Sequence, residues 1–93
     1  MRVVWTDEAI SHLDGIYAFI ALTSPIYARR LIDKLVSRAD DLGDFPTMGR
    51  VLAKYSDPSI RELIVAPYTI VYLVQTDSIL VLTVIHGARD QRE

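Results

Sequence analysis

The chain has 93 residues, of which 51% are hydrophobic and 24% are charged, and it contains no cysteine. These values are typical of one small globular domain and exclude a disordered chain, a disulfide framework and thiolate chemistry. Ten basic and twelve acidic residues give a net charge of −2, which argues against binding to nucleic acid through bulk positive charge. No signal peptide is visible and the longest apolar run, Ile79–Ile85, is too short to cross a bilayer, so we expect one cytoplasmic domain over residues 1–93.

The first half of the sequence predicts a short strand and two helices. Arg2–Trp5 is rich in β-branched and aromatic residues, as strands are. Thr6 or Asp7 can cap the helix that follows. Apolar residues then recur every three or four positions, as on one face of a helix, at Ala9, Leu13, Ile16, Tyr17 and Ile20. Ser24-Pro25 is a typical helix start, so we expect a second amphipathic helix that ends at Gly43 and forms an antiparallel hairpin with the first.

The second half of the sequence predicts strands. The expected segments are Arg50–Tyr55, Ile60–Ala66, Tyr68–Gln75 and Ile79–His86, and the last two are joined by a tight hairpin turn. The element order is β-α-α-β-β-β, in which the segment Arg50–Ala66 counts as one strand or is split into two. This order predicts an α+β domain in which a helical hairpin packs on one face of a mostly antiparallel sheet.

The last two predicted strands are apolar on both faces, whereas a sheet with one solvated face alternates apolar and polar residues. Two helices can cover only one face of the sheet. Either these strands are central and partly wrapped by loops, or their second face binds a partner, as contiguous apolar surface often does.

Few residues in the chain suggest catalysis. Its two histidines are His12 and His86, it has no Gly-x-Ser-x-Gly elbow or glycine-rich phosphate loop, and no ligand spacing indicates zinc. We therefore expect neither a metal nor a cofactor. The β-rich half does carry basic and aromatic residues that could bind phosphate or, equally, could form surface ion pairs with nearby carboxylates. These are Arg50, Lys54, Arg61 and Arg89, with Tyr68, Tyr72 and His86 interleaved.

Several motifs, in their order and spacing, resemble the RelE/ParE superfamily of type II toxin–antitoxin toxins. The resemblance runs nearly end to end and agrees with the predicted element order. Its pieces are Trp5-Thr6-x-x-Ala9, Pro25-x-x-Ala28-x-x-Leu31, Phe45-Pro46-x-Met48-Gly49-Arg50, Ile60-Arg61-Glu62-Leu63, Pro67-Tyr68-x-Ile70-Val71-Tyr72 and Val84-Ile85-His86-Gly87-Ala88-Arg89-Asp90.

The resemblance is closer to the ParE-like branch than to the RelE-like branch. RelE-like ribonucleases carry an arginine after the tyrosine that corresponds to Tyr68, but here Thr69 follows it. The paired lysines of the preceding strand are also missing, and Arg89 is the one basic position that resembles the RelE site. The ParE-like resemblance implies a gyrase inhibitor without a catalytic centre. The alternatives are a ribosome-dependent mRNA endoribonuclease that uses Arg61, Arg89 and His86, and a non-toxic relative that only binds an antitoxin.

The resemblance also implies a partner, a cognate antitoxin protein that forms a hetero-oligomer with the toxin and covers apolar surface. From the strand pattern, the candidate antitoxin contacts are Val71, Leu73, Leu80 and Leu82. Arg61 and Arg89 are the first candidates for target contact, or for structuring the surface that makes it. The remaining target-binding candidates are Tyr68, His86 and Arg50.

Overall fold

The computed structural model of the protein describes residues 1–87, in which a helical hairpin packs on a five-stranded sheet. The strand order is β1-β5-β4-β3-β2, and every neighbouring pair is antiparallel except β1 and β5, which run parallel. The predicted α+β fold is therefore confirmed. The elements are β1 (Arg2–Trp5), α1 (Asp7–Ala21), α2 (Pro25–Asp41), β2 (Arg50–Val51), β3 (Ile60–Val65), β4 (Tyr68–Val74) and β5 (Ser78–His86).

Both helices begin where the capping residues predict. The Thr6 hydroxyl accepts a hydrogen bond from the Ala9 N–H at 3.0 Å and donates to the Val81 carbonyl at 3.0 Å. Thr6 therefore caps α1 and also ties its first turn to β5. Ser24 accepts from the Tyr27 N–H at 3.2 Å and precedes a proline in the first helical turn. Neither helix among residues 1–87 is long and apolar enough to cross a lipid bilayer.

The core lies between the hairpin and one face of the sheet. Alternate residues of the strands point into it, and the register sets Val3 beside Ile79 and Trp5 beside Val81. Tyr17 was expected on the buried face of α1 but is 41% exposed, because it lies at the outer margin of the apolar stripe. The buried cluster comprises Ala9, Leu31, Leu35, Ala39, Leu42, Leu63, Val65, Tyr68, Ile70, Tyr72, Ile79, Val81 and Val84.

The predicted strand Arg50–Tyr55 is wrong beyond its second residue. β2 contains only Arg50–Val51, paired with β3. The Leu52 N–H still reaches the Ile60 carbonyl at 3.3 Å, but the Tyr55 N–H then bonds back to Leu52 at 3.1 Å. This local turn takes the backbone out of the sheet, and β2 remains a short edge strand.

Tyr72 fixes the loop between α2 and β2. Its hydroxyl donates to the Pro46 carbonyl at 2.9 Å and accepts from the Gly49 N–H at 2.9 Å. Arg61, which faces Tyr72 in the ladder, donates to the Gly49 carbonyl at 2.7 Å. Arg61 also donates to the Thr47 carbonyl at 3.5 Å, so four side-chain hydrogen bonds from the sheet hold this loop.

We expect the stability of the chain to fall as the pH rises above about 10, the ordinary pKa of tyrosine. Burial raises the pKa of Tyr72 and outweighs the Gly49 N–H and the Arg61 charge, which both lower it. The folded chain thus keeps Tyr72 protonated at a pH where the unfolded chain has lost that proton, so its stabilising contribution is complete below pH 10 and declines above it. Urea unfolding between pH 8 and about 11.5 should show a shallower decline in the Tyr72→Phe variant.

The free energy of unfolding of the same variant should also be about 1–3 kcal/mol lower at pH 8, because the substitution leaves the Gly49 N–H and the Pro46 carbonyl without their partner. Tyr55→Phe is the matched control, since the Tyr55 ring is 43% exposed. Equal stability of the two variants at pH 8, together with parallel pH curves, would refute the role assigned to Tyr72.

Candidate functional site

The end of the helical hairpin carries the most exposed apolar side chains of the fold. Of the fifteen residues in α1, only Ala9 is buried. Exposed apolar side chains continue through the turn between the helices into the start of α2. So many exposed apolar side chains on a small domain make this end of the hairpin a candidate interaction site. We call it the hairpin surface, and it consists of Tyr17, Phe19 (74% exposed), Leu22 (84%), Ile26 (69%) and Tyr27 (52%).

A groove of about 640 Å³ separates the hairpin from the end of the sheet at which β3 turns into β4. Phe19 and Tyr27 belong both to this groove and to the hairpin surface, so the two form one continuous region. A groove with mostly apolar walls suits a side-chain cluster or a short helix of a partner protein. Its lining residues are Ser11, His12, Gly15, Ile16, Phe19, Ile20, Tyr27, Leu31, Pro67, Tyr68, Val84 and His86.

The polar groups of the groove are held by their neighbours. His12 Nδ1 lies 2.7 Å from the Thr83 hydroxyl, and His12 Nε2 lies 3.9 Å from a Glu8 carboxylate oxygen. The His86 ring stands edge-on to the Tyr68 ring, with 5.1 Å between centroids. The first contact links α1 to β5 and the last links β5 to β4, so both shape the walls of the groove.

Tyr68 lies on the floor of the groove and is only 6% exposed. Burial raises the pKa of Tyr68, and the nearby Tyr27 phenol raises it further. A tyrosine is protonated near neutral pH even at its ordinary pKa of about 10, so the Tyr68 phenol is a hydrogen-bond donor there. Tyr68 and His86, both predicted to contact the target, are thus placed together in this groove.

Two more target-binding candidates lie away from the groove and have structural partners. They are Arg61, near the start of β3, and Arg50, on β2. Arg61 donates to the Gly49 carbonyl, as described above. Arg50 Nε lies 2.6 Å from the carboxylate of Glu62, which is almost fully buried. The fifth target-binding candidate, Arg89, lies outside the described residues.

Arg61 and His86, the two residues of the predicted ribonuclease alternative that the structure describes, lie apart on the sheet. Arg61 pairs with Tyr72 in the ladder, whereas His86 pairs with Tyr68. Tyr68 and Tyr72 are four residues apart on β4, a separation of about 14 Å along an extended strand. In addition, the hydroxyl of Thr69 is fully buried and donates to the Gly87 carbonyl at 2.7 Å.

The predicted antitoxin contacts Val71, Leu73 and Leu80 lie on the sheet face turned away from the helices. Leu73 and Leu80 are half-buried cross-strand neighbours, and Val71 is buried. Leu82 is also half-buried and falls where the register between β4 and β5 shifts, so the ladder gives it no partner. This face is less exposed than the hairpin surface.

Within residues 1–87, no group of three or more His, Asp or Glu side chains is placed to hold a metal ion. The arrangement of the groove suits recognition of another protein.

The apolar pattern of the sequence placed the predicted partner surface on the last two strands and missed the hairpin surface. The available signal was Phe19 and Leu22, which fall outside the apolar stripe of α1.

Comparison with known proteins places this fold among bacterial toxins. Residues 3–91 match the family described as the ParE toxin of the type II toxin–antitoxin system parDE. Toxin RelE2 of Caulobacter vibrioides is 35% identical over 89 residues, which cover 95% of this chain and 97% of that protein.

Two solved structures share the fold. A chain of the chromosomal ParDE TA system from P. aeruginosa superposes with a TM-score of 0.77 at 23% identity, covering 94% of this chain and 96% of that one. The isolated E. coli RelE toxin superposes with a TM-score of 0.60 at 14% identity, covering 97% of this chain and 87% of that one. At these identities the two structures bear on the fold alone.

Proposed function

Because the chain belongs to the ParE toxin family of type II toxin–antitoxin systems, we propose that it is a binding inhibitor of DNA gyrase in the cytoplasm, neutralised by a cognate antitoxin. Membership of the family implies the antitoxin partner. Gyrase is the target that the ParE-like motifs imply. In this proposal the chain acts by occupying a surface of its target and carries out no reaction of its own.

The observation that supports inhibition by binding is the separation of Arg61 from His86, the two candidate catalytic residues that the structure describes. Cleavage of RNA requires groups that stabilise negative charge at one phosphate. Arg61 donates to the Gly49 carbonyl and faces Tyr72 on β4. His86 faces Tyr68, which lies four residues before Tyr72 on the same strand. The buried hydroxyl of Thr69 offers no cation in place of the arginine of RelE-like enzymes.

We place the main antitoxin contact on the hairpin surface and in the adjoining groove. Phe19 and Leu22 leave more apolar area in water than any residue of the sheet's outer face, where Ile64 is 40% exposed. Covering such area is the main favourable contribution when proteins associate. The outer face, with Val71, Leu73, Leu80 and Leu82, is the alternative candidate for the antitoxin contact.

The alternative function is ribosome-dependent cleavage of mRNA, with Arg61, Arg89 and His86 as the active residues. One observation favours it: the curated relative with 35% identity carries the name RelE2. A third possibility is a non-toxic member of the family that binds an antitoxin without attacking a target.

Expression of the chain without its antitoxin distinguishes these functions. We expect growth to stop, plasmid DNA to lose negative supercoiling and mRNA to remain intact in primer-extension assays, with growth restored when the antitoxin is co-expressed. Ribosome-dependent cuts in mRNA with normal plasmid supercoiling would establish the alternative instead. Normal growth and neither effect would favour the non-toxic relative.

A further inference from the structure

Two arginines border the hairpin surface on the side away from the groove. Arg29 and Arg30, on α2, line a shallow concavity of about 410 Å³ together with Tyr17, Pro25 and Ile26. Ile26 is 69% exposed and Tyr17 is 41% exposed. The concavity therefore combines apolar surface with two cations.

These two arginines differ from three others in the fold, which have partners. Arg38 pairs with Asp41 at 3.0 Å, and Arg50 and Arg61 are bound to Glu62 and the Gly49 carbonyl. Within residues 1–87, by contrast, Arg29 and Arg30 make no ion pair or side-chain hydrogen bond.

A guanidinium group recognises planar anions such as carboxylates through paired N–H donors. The nearby Asp33 lies four residues after Arg29, but the structure describes no ion pair between them. The charge at this edge of the hairpin is therefore available to a partner.

Tyr17 and Ile26 belong both to this concavity and to the hairpin surface. A partner that covers the hairpin surface therefore also reaches Arg29 and Arg30, which line the same concavity.

We propose that the antitoxin segment on the hairpin surface is acidic and amphipathic, placing apolar side chains on Ile26 and Tyr17 and carboxylates on Arg29 and Arg30. This inference rests on the proposed neutralisation by an antitoxin. Nucleic acid fits the site less well, because exposed apolar side chains outnumber the two cations and the chain carries a net charge of −2.

The test compares two double variants of the full chain in binding to the cognate antitoxin at about 50 mM and about 300 mM NaCl. Arg29→Glu with Arg30→Glu should raise the Kd about 30-fold or more at low salt and by a smaller factor at high salt. The control, Arg2→Glu with Lys54→Glu, makes the same change in net charge at other exposed sites and should raise the Kd less than about threefold. Circular dichroism and thermal unfolding establish that both variants fold.

Unchanged affinity of the Arg29/Arg30 variant, or an equal loss in the control, would overturn the inference while leaving the proposed function in place. So would a variant that keeps its antitoxin affinity but loses binding to a short DNA duplex, since the site would then recognise phosphate. If the unsubstituted chain does not bind the antitoxin at all, the proposed function fails as well.

Discussion

Replacing Phe19 and Leu22 together by glutamine is expected to weaken binding of the cognate antitoxin by about 100-fold or more, since fully burying each side chain is worth about 1.5–3 kcal/mol. Both side chains are more than 70% exposed in the free chain. The substitutions should therefore change the thermal midpoint of the toxin little, and glutamine is compatible with a helix. Titration calorimetry with the purified antitoxin measures the effect.

The matched control for this prediction is Ile64→Gln, which removes an exposed apolar side chain from the opposite face of the sheet. Ile64 is 40% exposed, and we expect its substitution to change the Kd less than about threefold. The reverse result, with the control impaired and the double variant unaffected, would move the antitoxin to the sheet's outer face, which the strand pattern favours.

Gly49→Ala is expected to lower the free energy of unfolding by about 3 kcal/mol, near the upper end of overpacking effects. A Cβ atom on Gly49 would lie 2.5 Å from the Glu62 carbonyl oxygen and 2.7 Å from the Tyr72 hydroxyl. The first atom belongs to a central strand and the second is already bonded to the loop. Neither can move without breaking hydrogen bonds, so the clash cannot be relieved cheaply.

Gly15→Ala provides the comparison, because a Cβ atom on Gly15, in the middle of α1, would have nothing within 4 Å of it. There the same substitution should stabilise the chain by about 0.5–1 kcal/mol. Urea unfolding of both variants tests the pair. If Gly49→Ala were as stable as Gly15→Ala, the loop would not be held against β3 as described.

Local sequence signals predicted most of the fold. Thr6 and Ser24 supply side-chain acceptors for helix N–H groups, so the helix starts depend on nearby residues alone. The predicted strand Arg50–Tyr55 was wrong because its end depends on a turn at Tyr55, for which apolar and polar alternation carries no signal. The parallel pairing of β1 with β5 joins residues more than seventy positions apart and could not be derived from local pattern.

The candidate site was harder to predict than the fold. Residue type identified Arg61 as a basic position, but the Gly49 carbonyl that it binds becomes its neighbour only through the packing of the loop. The exposure of Phe19 and Leu22 likewise depends on which parts of the hairpin the sheet covers. Tyr68 and His86 are separate candidates in the sequence, and the β4–β5 register makes them neighbours.

The central claim is most directly tested by adding the purified chain to a supercoiling assay with DNA gyrase. We predict that the chain inhibits supercoiling in proportion to its concentration, that equimolar antitoxin restores the activity, and that the Phe19→Gln/Leu22→Gln variant inhibits gyrase but resists this rescue. Full gyrase activity at a large excess of folded chain, with cleavage of ribosome-bound mRNA by the same preparation, would contradict the account.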